Sequence, residues 1–81
     1  MRLPRDLGGE ELARLLGRYG YYITRRTGSH MRLTTLRDGE HHVTVPAHKP
    51  LRVGTLSAIL KDVADHLGIE REALLRSLFD E

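Results

Sequence analysis

Apolar residues recur every three or four positions in three parts of the chain, a spacing that predicts amphipathic helices. The first predicted helix covers residues 9–19 and ends at Gly20, and the second covers residues 54–67 and ends at Gly68. A shorter stripe predicts a third helix over residues 70–79. The apolar stripes consist of Leu12, Leu15, Leu16 and Tyr19, then Leu56, Ile59, Leu60, Val63 and Leu67, and finally Leu74, Leu75, Leu78 and Phe79.

Three segments between the first two helices have the composition and period of β-strands. Residues 21–25 are rich in aromatic and β-branched side chains, and a break follows at residues 27–29. Apolar and polar positions then alternate over residues 30–34 and again over residues 43–45. The Asp38-Gly39 pair between these two strands is typical of a turn that needs positive φ, so the strands are predicted to form a hairpin.

The alternation also predicts which side chains share a face of the sheet. If the apolar side chains of both hairpin strands face the core, the connecting loop has an odd number of residues. A loop over residues 38–40 would place Leu33 opposite Val45 and bring His48 close to His30. His30 would then point to solvent, together with every second residue of its strand.

Composition limits the class of protein. A chain of 81 residues has room for a single domain, predicted here to span residues 1–81 with a core over about 9–67 and the third helix over about 70–79. There is no cysteine for disulfides or thiolate metal ligands, and no apolar segment long enough to span a membrane. Residues 1–8 do not form a secretory signal, so we expect a soluble cytoplasmic protein.

Positive charge is concentrated in the middle of the chain. The net charge is +2, yet residues 21–52 contain six basic and two acidic side chains, together with four of the five histidines. The rest of the chain has a small negative surplus. Such a distribution would attract a polyanion to the middle third, although charged residues of this kind also occur as a solvated surface.

His30 is the principal candidate for chemistry. RNA can be cleaved without a metal when its own 2′-hydroxyl attacks the phosphate, and the protein then supplies proton transfer and positive charge. Histidine suits proton transfer because its unperturbed pKa is about 6.5. His30 follows a Gly28-Ser29 break that offers close backbone approach and hydrogen-bond donors. Arg25, Arg26 and Arg32 flank this segment.

The other histidines are weaker candidates. His48, with Lys49 beside it, is predicted to support the site. His42 should face solvent, where it could contact RNA or simply be solvated, and His41 should have a structural role near the turn. A metal site is disfavoured because His41 and His42, as strand neighbours, point to opposite faces.

Two further features have both a functional and a structural explanation. Gly54 and Thr55 begin a helix whose amide groups could bind phosphate beside Arg52, or could be capped in the ordinary way. Tyr22 could stack on a base, whereas Tyr19 belongs to the apolar stripe of the first helix.

Several motifs in this order resemble the HicA family. They are Leu12 to Leu16 followed by Gly20-Tyr21, then Arg26-Thr27-Gly28-Ser29-His30, then Val43-Thr44-Val45-Pro46, and finally Val53-Gly54-Thr55-Leu56 with Ile59-Leu60. The resemblance spans residues 9 to about 67. Met31 and Leu33 depart from it, since many relatives have a second histidine and an aromatic residue at these positions.

HicA proteins are bacterial toxins that cleave mRNA and are inhibited by a HicB antitoxin. The resemblance implies an α+β fold like that of double-stranded-RNA-binding domains, with an α-β-β-β-α core, a three-stranded antiparallel sheet and here an extra C-terminal helix. It also implies that His30 is the catalytic histidine of an endoribonuclease, with mRNA and a HicB-like antitoxin as partners. The predicted RNA-binding residues are Arg25, Arg26, Gly28, Ser29, Arg32, His48 and Lys49.

We expect neither a metal nor another cofactor, no association with membranes, and a monomer when the protein is free. One alternative is a non-catalytic RNA-binding module that uses the same basic face. Another is a DNA-binding helix-turn-helix around Gly68, which Glu70 and Glu72 disfavour because they would face phosphates.

Overall fold

The computed structural model describes residues 3–79. Its elements are helix α1 (Gly9–Leu16), a 3-10 turn (Gly17–Tyr19), strands β1 (Tyr22–Thr27), β2 (His30–Thr35) and β3 (His41–Pro46), and helices α2 (Val53–Leu67) and α3 (Arg71–Phe79). The strands form one antiparallel sheet in the order β1-β2-β3. This layout confirms the predicted α+β fold class and is consistent with a double-stranded-RNA-binding-like fold.

Local signals explain where the helices begin and end. At the start of α1, the backbone N–H of Gly8 donates to the Glu11 carboxylate at 3.0 Å. The predicted helix over residues 9–19 is continuous only to Leu16, and its last turn tightens into the 3-10 turn. Gly20 and Gly68 terminate the first and second helices with φ of 84° and 69°, a conformation that favours glycine.

All three helices contribute to one apolar core on a single face of the sheet. Its fully buried side chains include Leu12 and Leu16 from α1, Met31, Leu33 and Val45 from the sheet, Leu56, Leu60 and Val63 from α2, and Leu74 and Leu75 from α3. Leu15, Tyr19, Leu67 and Phe79 are only partly buried at the edge of this core. The edge strand β1 is exposed at all six of its residues, on both faces of the sheet. Among residues 3–79, none of the helices is both long and apolar enough to cross a membrane.

The hairpin register differs from the predicted one by two residues. Leu33 lies opposite Val43, not Val45, because the loop covers residues 36–40 and is two residues longer than expected. Thr35 explains the longer loop, since its buried hydroxyl donates to the carbonyl of Tyr19 at 3.1 Å and holds it at the end of β2. A shift of two residues keeps every side chain on its predicted face, so the core is unchanged.

Strand β1 contains an irregularity that alternation did not predict. It begins at Tyr22 and ends at Thr27, later than the predicted residues 21–25, and its pairing with β2 shifts at Thr24. Arg25 consequently lies opposite Arg32 on the exposed face, whereas Arg26 lies opposite the buried Met31. Adjacent strand residues point to opposite faces in any case. The β-bulge decides that Arg25, and not Arg26, is the one on the exposed face.

Candidate active site

His30 lies at the first position of β2, immediately after the tight turn from β1. Gly28 in this turn has a φ of 52°, and the space where a side chain would project from it is open. Conformation therefore explains this glycine better than crowding does. The hydroxyl of Ser29 lies 3.4 Å from Nδ1 of His30, and the residue is exposed. The predicted orientation of His30 toward solvent is confirmed.

A cleft of about 530 Å³ opens beside His30 between the end of the hairpin and the start of α2. Its lining residues are His30, Pro46, His48, Pro50, Leu51, Arg52 and Thr55. The rings of His30 and His48 approach edge to face, with centroids 6.5 Å apart and planes at 74°. The predicted proximity of these two histidines is confirmed, although Pro46 and not His48 is paired with His30 in the ladder.

Main-chain hydrogen bonds hold the segment that carries His48. The amide of Ala47 donates to the carbonyl of Ser29 at 2.6 Å, and the amide of Gly9 donates to the carbonyl of His48 at 2.9 Å. Leu51 donates to the carbonyl of Leu7 at 2.8 Å. The segment over residues 47–51 is therefore tied to both the sheet and the N-terminal end of α1, which fixes the backbone beneath the His48 ring.

Gly9 allows this close approach and was missed by the sequence analysis. A Cβ atom at Gly9 would lie 1.8 Å from the carbonyl oxygen of Pro46, well inside van der Waals contact. The Gly8-Gly9 pair directly before the first apolar stripe is the only signal that could have indicated it, because glycine is needed where two backbones meet.

The N-terminal end of α2 forms one wall of the cleft. The helix begins at Val53, one residue earlier than predicted, and Arg52 precedes it in an extended conformation. The N-cap position is Arg52, whose side chain makes no capping hydrogen bond, so Thr55 does not have the capping role considered above. Uncapped amide groups and the helix dipole make such an end attractive to an anion, and the exposed Arg52 adds a positive charge.

The exposed sheet face continues the cleft with further positive charge. Arg25 and Arg32 line a depression of about 240 Å³ that also includes His30. The same two arginines line a second depression of about 440 Å³ that extends to Tyr22, whose side chain is 53% exposed. Because each depression shares residues with the next, one continuous surface leads from Arg52 past His30 to Tyr22.

Two of the predicted RNA-binding residues are engaged by carboxylates of α1. Arg26 faces α1 and donates two hydrogen bonds to Glu10, at 2.8 and 2.9 Å. This guanidinium lowers the pKa of the Glu10 carboxyl group. Lys49 lies 3.6 Å from Glu11, whose pKa is lowered first by the hydrogen bond from Gly8 and then by Lys49. The basic middle of the chain is thus partly neutralised by the first turn of α1.

His41 and His42 have partners away from the cleft. On the core side, Nδ1 of His41 is hydrogen-bonded to the Tyr21 hydroxyl at 2.7 Å, and Nε2 of His41 is hydrogen-bonded to the Asp62 carboxylate at 3.1 Å. Burial and the charge of Asp62 raise the pKa of Tyr21 to about 12. On the exposed side, His42 contacts Thr34 and Glu40. Adjacent histidines thus face opposite ways, as predicted, and His41 has the expected structural surroundings.

Comparison with known proteins adds one finding. The family model described as the HicA toxin of bacterial toxin-antitoxin systems matches residues 9–64, from the first residue of α1 into the last turns of α2. Neither a curated protein nor a solved structure matches the chain. The matched range includes His30, His48 and the whole cleft between the hairpin and α2, and it covers more than half of the sequence. The chain therefore belongs to the HicA family, the toxins of bacterial toxin-antitoxin systems.

Proposed function

We propose that this toxin is an endoribonuclease that cleaves mRNA and that His30 transfers protons in the reaction. The observation that carries the proposal is the position of His30, exposed at the junction of a cleft and a cationic sheet face. Proton transfer requires a group that can reach the substrate, and phosphodiester chemistry requires positive charge at the same place. The exposed His30 meets the first requirement, and the arginines that line the same depressions meet the second, in a chain of the HicA family.

The chemistry follows from the substrate and needs no metal ion. The 2′-hydroxyl of a ribose loses its proton as its oxygen attacks the neighbouring phosphorus, and the bond from phosphorus to the 5′-oxygen breaks. The products are a 2′,3′-cyclic phosphate and a free 5′-hydroxyl. Charge that develops on the phosphate oxygens is stabilised by Arg32 from the sheet and by Arg52 with the first amides of α2.

The RNA is proposed to follow the continuous surface from Arg52 past His30 to Tyr22. Arg25 and Arg32 bind phosphates on the sheet face, and Tyr22 offers an exposed ring on which a base can stack. Gly28 and Ser29 shape the turn beside the scissile phosphate and offer backbone and hydroxyl donors.

Arg26 and Lys49 have a weaker role in this proposal. Each lies on the α1 side of the site and already contacts a carboxylate, so a phosphate would have to displace Glu10 or Glu11. Exchange of one anion for another yields less binding energy than capture by an unpaired cation.

Membership of the family implies an antitoxin partner, and we propose that it is a HicB-like protein that covers the His30 cleft. An antitoxin in this position would exclude the RNA, and its own side chains would contact the cationic surface in place of the RNA phosphates. Co-purification of the two proteins, with protection of His30 from modification by diethyl pyrocarbonate, tests this assignment.

The direct test is incubation of the purified toxin with a synthetic mRNA fragment in the presence of a chelator. Wild type should produce fragments with cyclic phosphate ends, and His30→Ala should lose at least about 100-fold in rate, the usual contribution of general acid-base catalysis. His66→Gln is the matched control. His66 lies in the last turn of α2 and donates to the backbone carbonyls of Arg37 and Gly39, and glutamine retains a hydrogen-bond donor. Equal cleavage by wild type and His30→Ala would exclude His30 from the mechanism.

A second candidate function is RNA binding without cleavage. The depression lined by Tyr22, Arg25 and Arg32 extends well beyond His30, and binding there does not require an imidazole. An RNA complex in a gel-shift assay that survives His30→Ala, with no cleavage by either protein, would favour this function.

A further inference from the structure

We infer that His48 is a second catalytic residue and that His30 and His48 divide the two proton transfers of RNA cleavage between them. The inference rests on the proposed nuclease function and extends it from one proton-transfer residue to a pair. It is carried by the arrangement of the two rings across the cleft and not by the chemistry of either residue alone.

The separation of the rings fits a phosphodiester placed between them. Two imidazole nitrogens that each hydrogen-bond an oxygen on opposite sides of one phosphorus are roughly 6–8 Å apart, since each hydrogen bond is about 2.8 Å long. The distance given by the structure joins the ring centroids of His30 and His48, not their nitrogens; it is 6.5 Å, and the planes are at 74°. Both residues are exposed, so rotation about χ1 and χ2 can adjust the nitrogens to the substrate.

The charged surroundings of the pair favour a phosphate between the rings. Among the described residues that line this cleft, the charged or titratable groups are His30, His48 and Arg52, and none is a carboxylate. Arg25 and Arg32 approach His30 from the sheet side.

The ion pair of Lys49 with Glu11 lies on the α1 side of the pair of histidines.

The histidines of the turn have protein partners. His41 contacts Asp62 and His42 contacts Glu40. His66 donates to the backbone carbonyls of Arg37 and Gly39, so it too has protein partners. Among the histidines of the described residues, His30 and His48 are therefore the ones available for a substrate.

Main-chain hydrogen bonds also hold the backbone beneath His48. Its carbonyl accepts a hydrogen bond from Gly9, and the preceding amide, from Ala47, donates to Ser29 next to His30. This last contact couples the two histidine segments directly. A catalytic pair needs such fixed spacing, because proton transfer requires each nitrogen within hydrogen-bond reach of its oxygen.

The balanced reaction uses one ring as base and the other as acid. One neutral imidazole takes the proton of the 2′-hydroxyl while that oxygen bonds to phosphorus. The bond between phosphorus and the 5′-oxygen breaks, and the other ring, protonated, gives its proton to this leaving oxygen. The phosphodiester and the cyclic phosphate product each carry one negative charge, so the charges balance, and exchange with solvent restores the two protonation states.

The first experiment measures kcat/KM against pH on a short RNA for wild type, His30→Ala, His48→Ala and His48→Gln. Wild type should show a bell-shaped profile, and each variant should lose at least about 100-fold together with one limb of the bell. His48→Gln should be as slow as His48→Ala, because glutamine can hydrogen-bond a phosphate but cannot transfer its proton at neutral pH. Circular dichroism shows that each variant is folded, and His66→Gln serves as the matched control.

The second experiment uses a substrate in which a p-nitrophenyl ester replaces the 5′-nucleoside. Its leaving group, p-nitrophenolate, departs without a proton. The variant that lacks the acid should recover to within about tenfold of wild type, whereas the variant that lacks the base should remain slow. Recovery of neither variant would overturn the inference.

The outcomes also separate this inference from the proposed function. An inactive wild type would end the nuclease proposal and this inference with it. An active wild type, an inactive His30→Ala and a His48→Ala that keeps the bell-shaped profile with only a higher KM would overturn the paired mechanism alone.

Discussion

Substitution of Gly9 by alanine tests the packing on which the cleft depends. The backbone at Gly9 touches the backbone of Pro46 and Ala47, and the Gly9 amide donates to the carbonyl of His48. An added Cβ would lie 1.8 Å from the Pro46 carbonyl oxygen, whereas ordinary contact begins at 3.4 Å. The two chain segments must therefore separate by roughly 1.5 Å, because neither a rotamer change nor a flexible side chain can relieve a clash between backbones.

The expected loss of stability combines two contributions. Overpacking costs about 1–3 kcal/mol, and loss of the Gly9 to His48 hydrogen bond costs about 1 kcal/mol. Alanine recovers less than about 1 kcal/mol from its better helix propensity. A net decrease of about 2–3 kcal/mol in the free energy of unfolding corresponds to a Tm lower by about 10–20 °C in a domain of this size.

Thermal and urea unfolding monitored by circular dichroism measure this loss, with Gly17→Ala as the matched control. Gly17 lies at the end of α1 with φ of −57° and nothing within 4 Å of its added Cβ, so alanine there should be neutral or stabilising. The folded fraction of Gly9→Ala should also cleave RNA more slowly, because its His48 segment is displaced. Equal stability of the two variants would refute the described contact between Gly9 and Pro46.

Three further predictions concern α3, the buried tyrosine and the basic face. Leu75→Ala in α3 should lower the free energy of unfolding by about 2–5 kcal/mol in urea titrations, because Leu75 is fully buried. Arg76→Ala should change it by less than about 0.5 kcal/mol, because Arg76 is exposed. Tyr21 should titrate near pH 12 in phenolate absorbance. Its raised pKa stabilises the fold fully below about pH 10, and this contribution should be lost as the pH rises through about 12, in wild type but not in Tyr21→Phe. Arg25→Ala should weaken RNA binding and reduce the slope of log K against log salt concentration by about 0.7. Arg26→Ala should change both quantities less. Equal effects of the two variants would contradict the placement of Arg25, and not Arg26, on the exposed face.

The predictions on α3 and Tyr21 have clear contrary outcomes. Helix α3 lies outside the range matched by the HicA family model. A chain that tolerates Leu75→Ala as well as Arg76→Ala would show that α3 is also peripheral to the core. An alkaline transition unchanged in Tyr21→Phe would assign the loss of stability to other groups.

Sequence periodicity was sufficient to predict the order of elements and their inner faces. The helical stripes and the alternation around Met31 and Leu33 report burial directly, because side chains repeat every 3.6 residues in helices and every two in strands. The same parity placed His30 toward solvent. Turn chemistry at Asp38 and Gly39, both with positive φ, located the hairpin.

Register and the faces of individual arginines depended on tertiary structure. A shift of two residues leaves the apolar pattern unchanged, so the sequence alone could not exclude the pairing of Leu33 with Val45. The bulge at Thr24 reverses the facing of Arg25 and Arg26, and it depends on cross-strand contacts rather than on a local motif.

The site itself shows the same division. The sequence determined which residue types were available, namely a histidine after a Gly-Ser turn, a second histidine after Pro46, and a surplus of positive charge between residues 21 and 52. Only the tertiary structure placed the two imidazoles on one cleft with Arg52 and neutralised other cations against α1. These arrangements join residues far apart along the chain, and their geometry depends on how the backbones of α1 and the segment over residues 47–51 pack together.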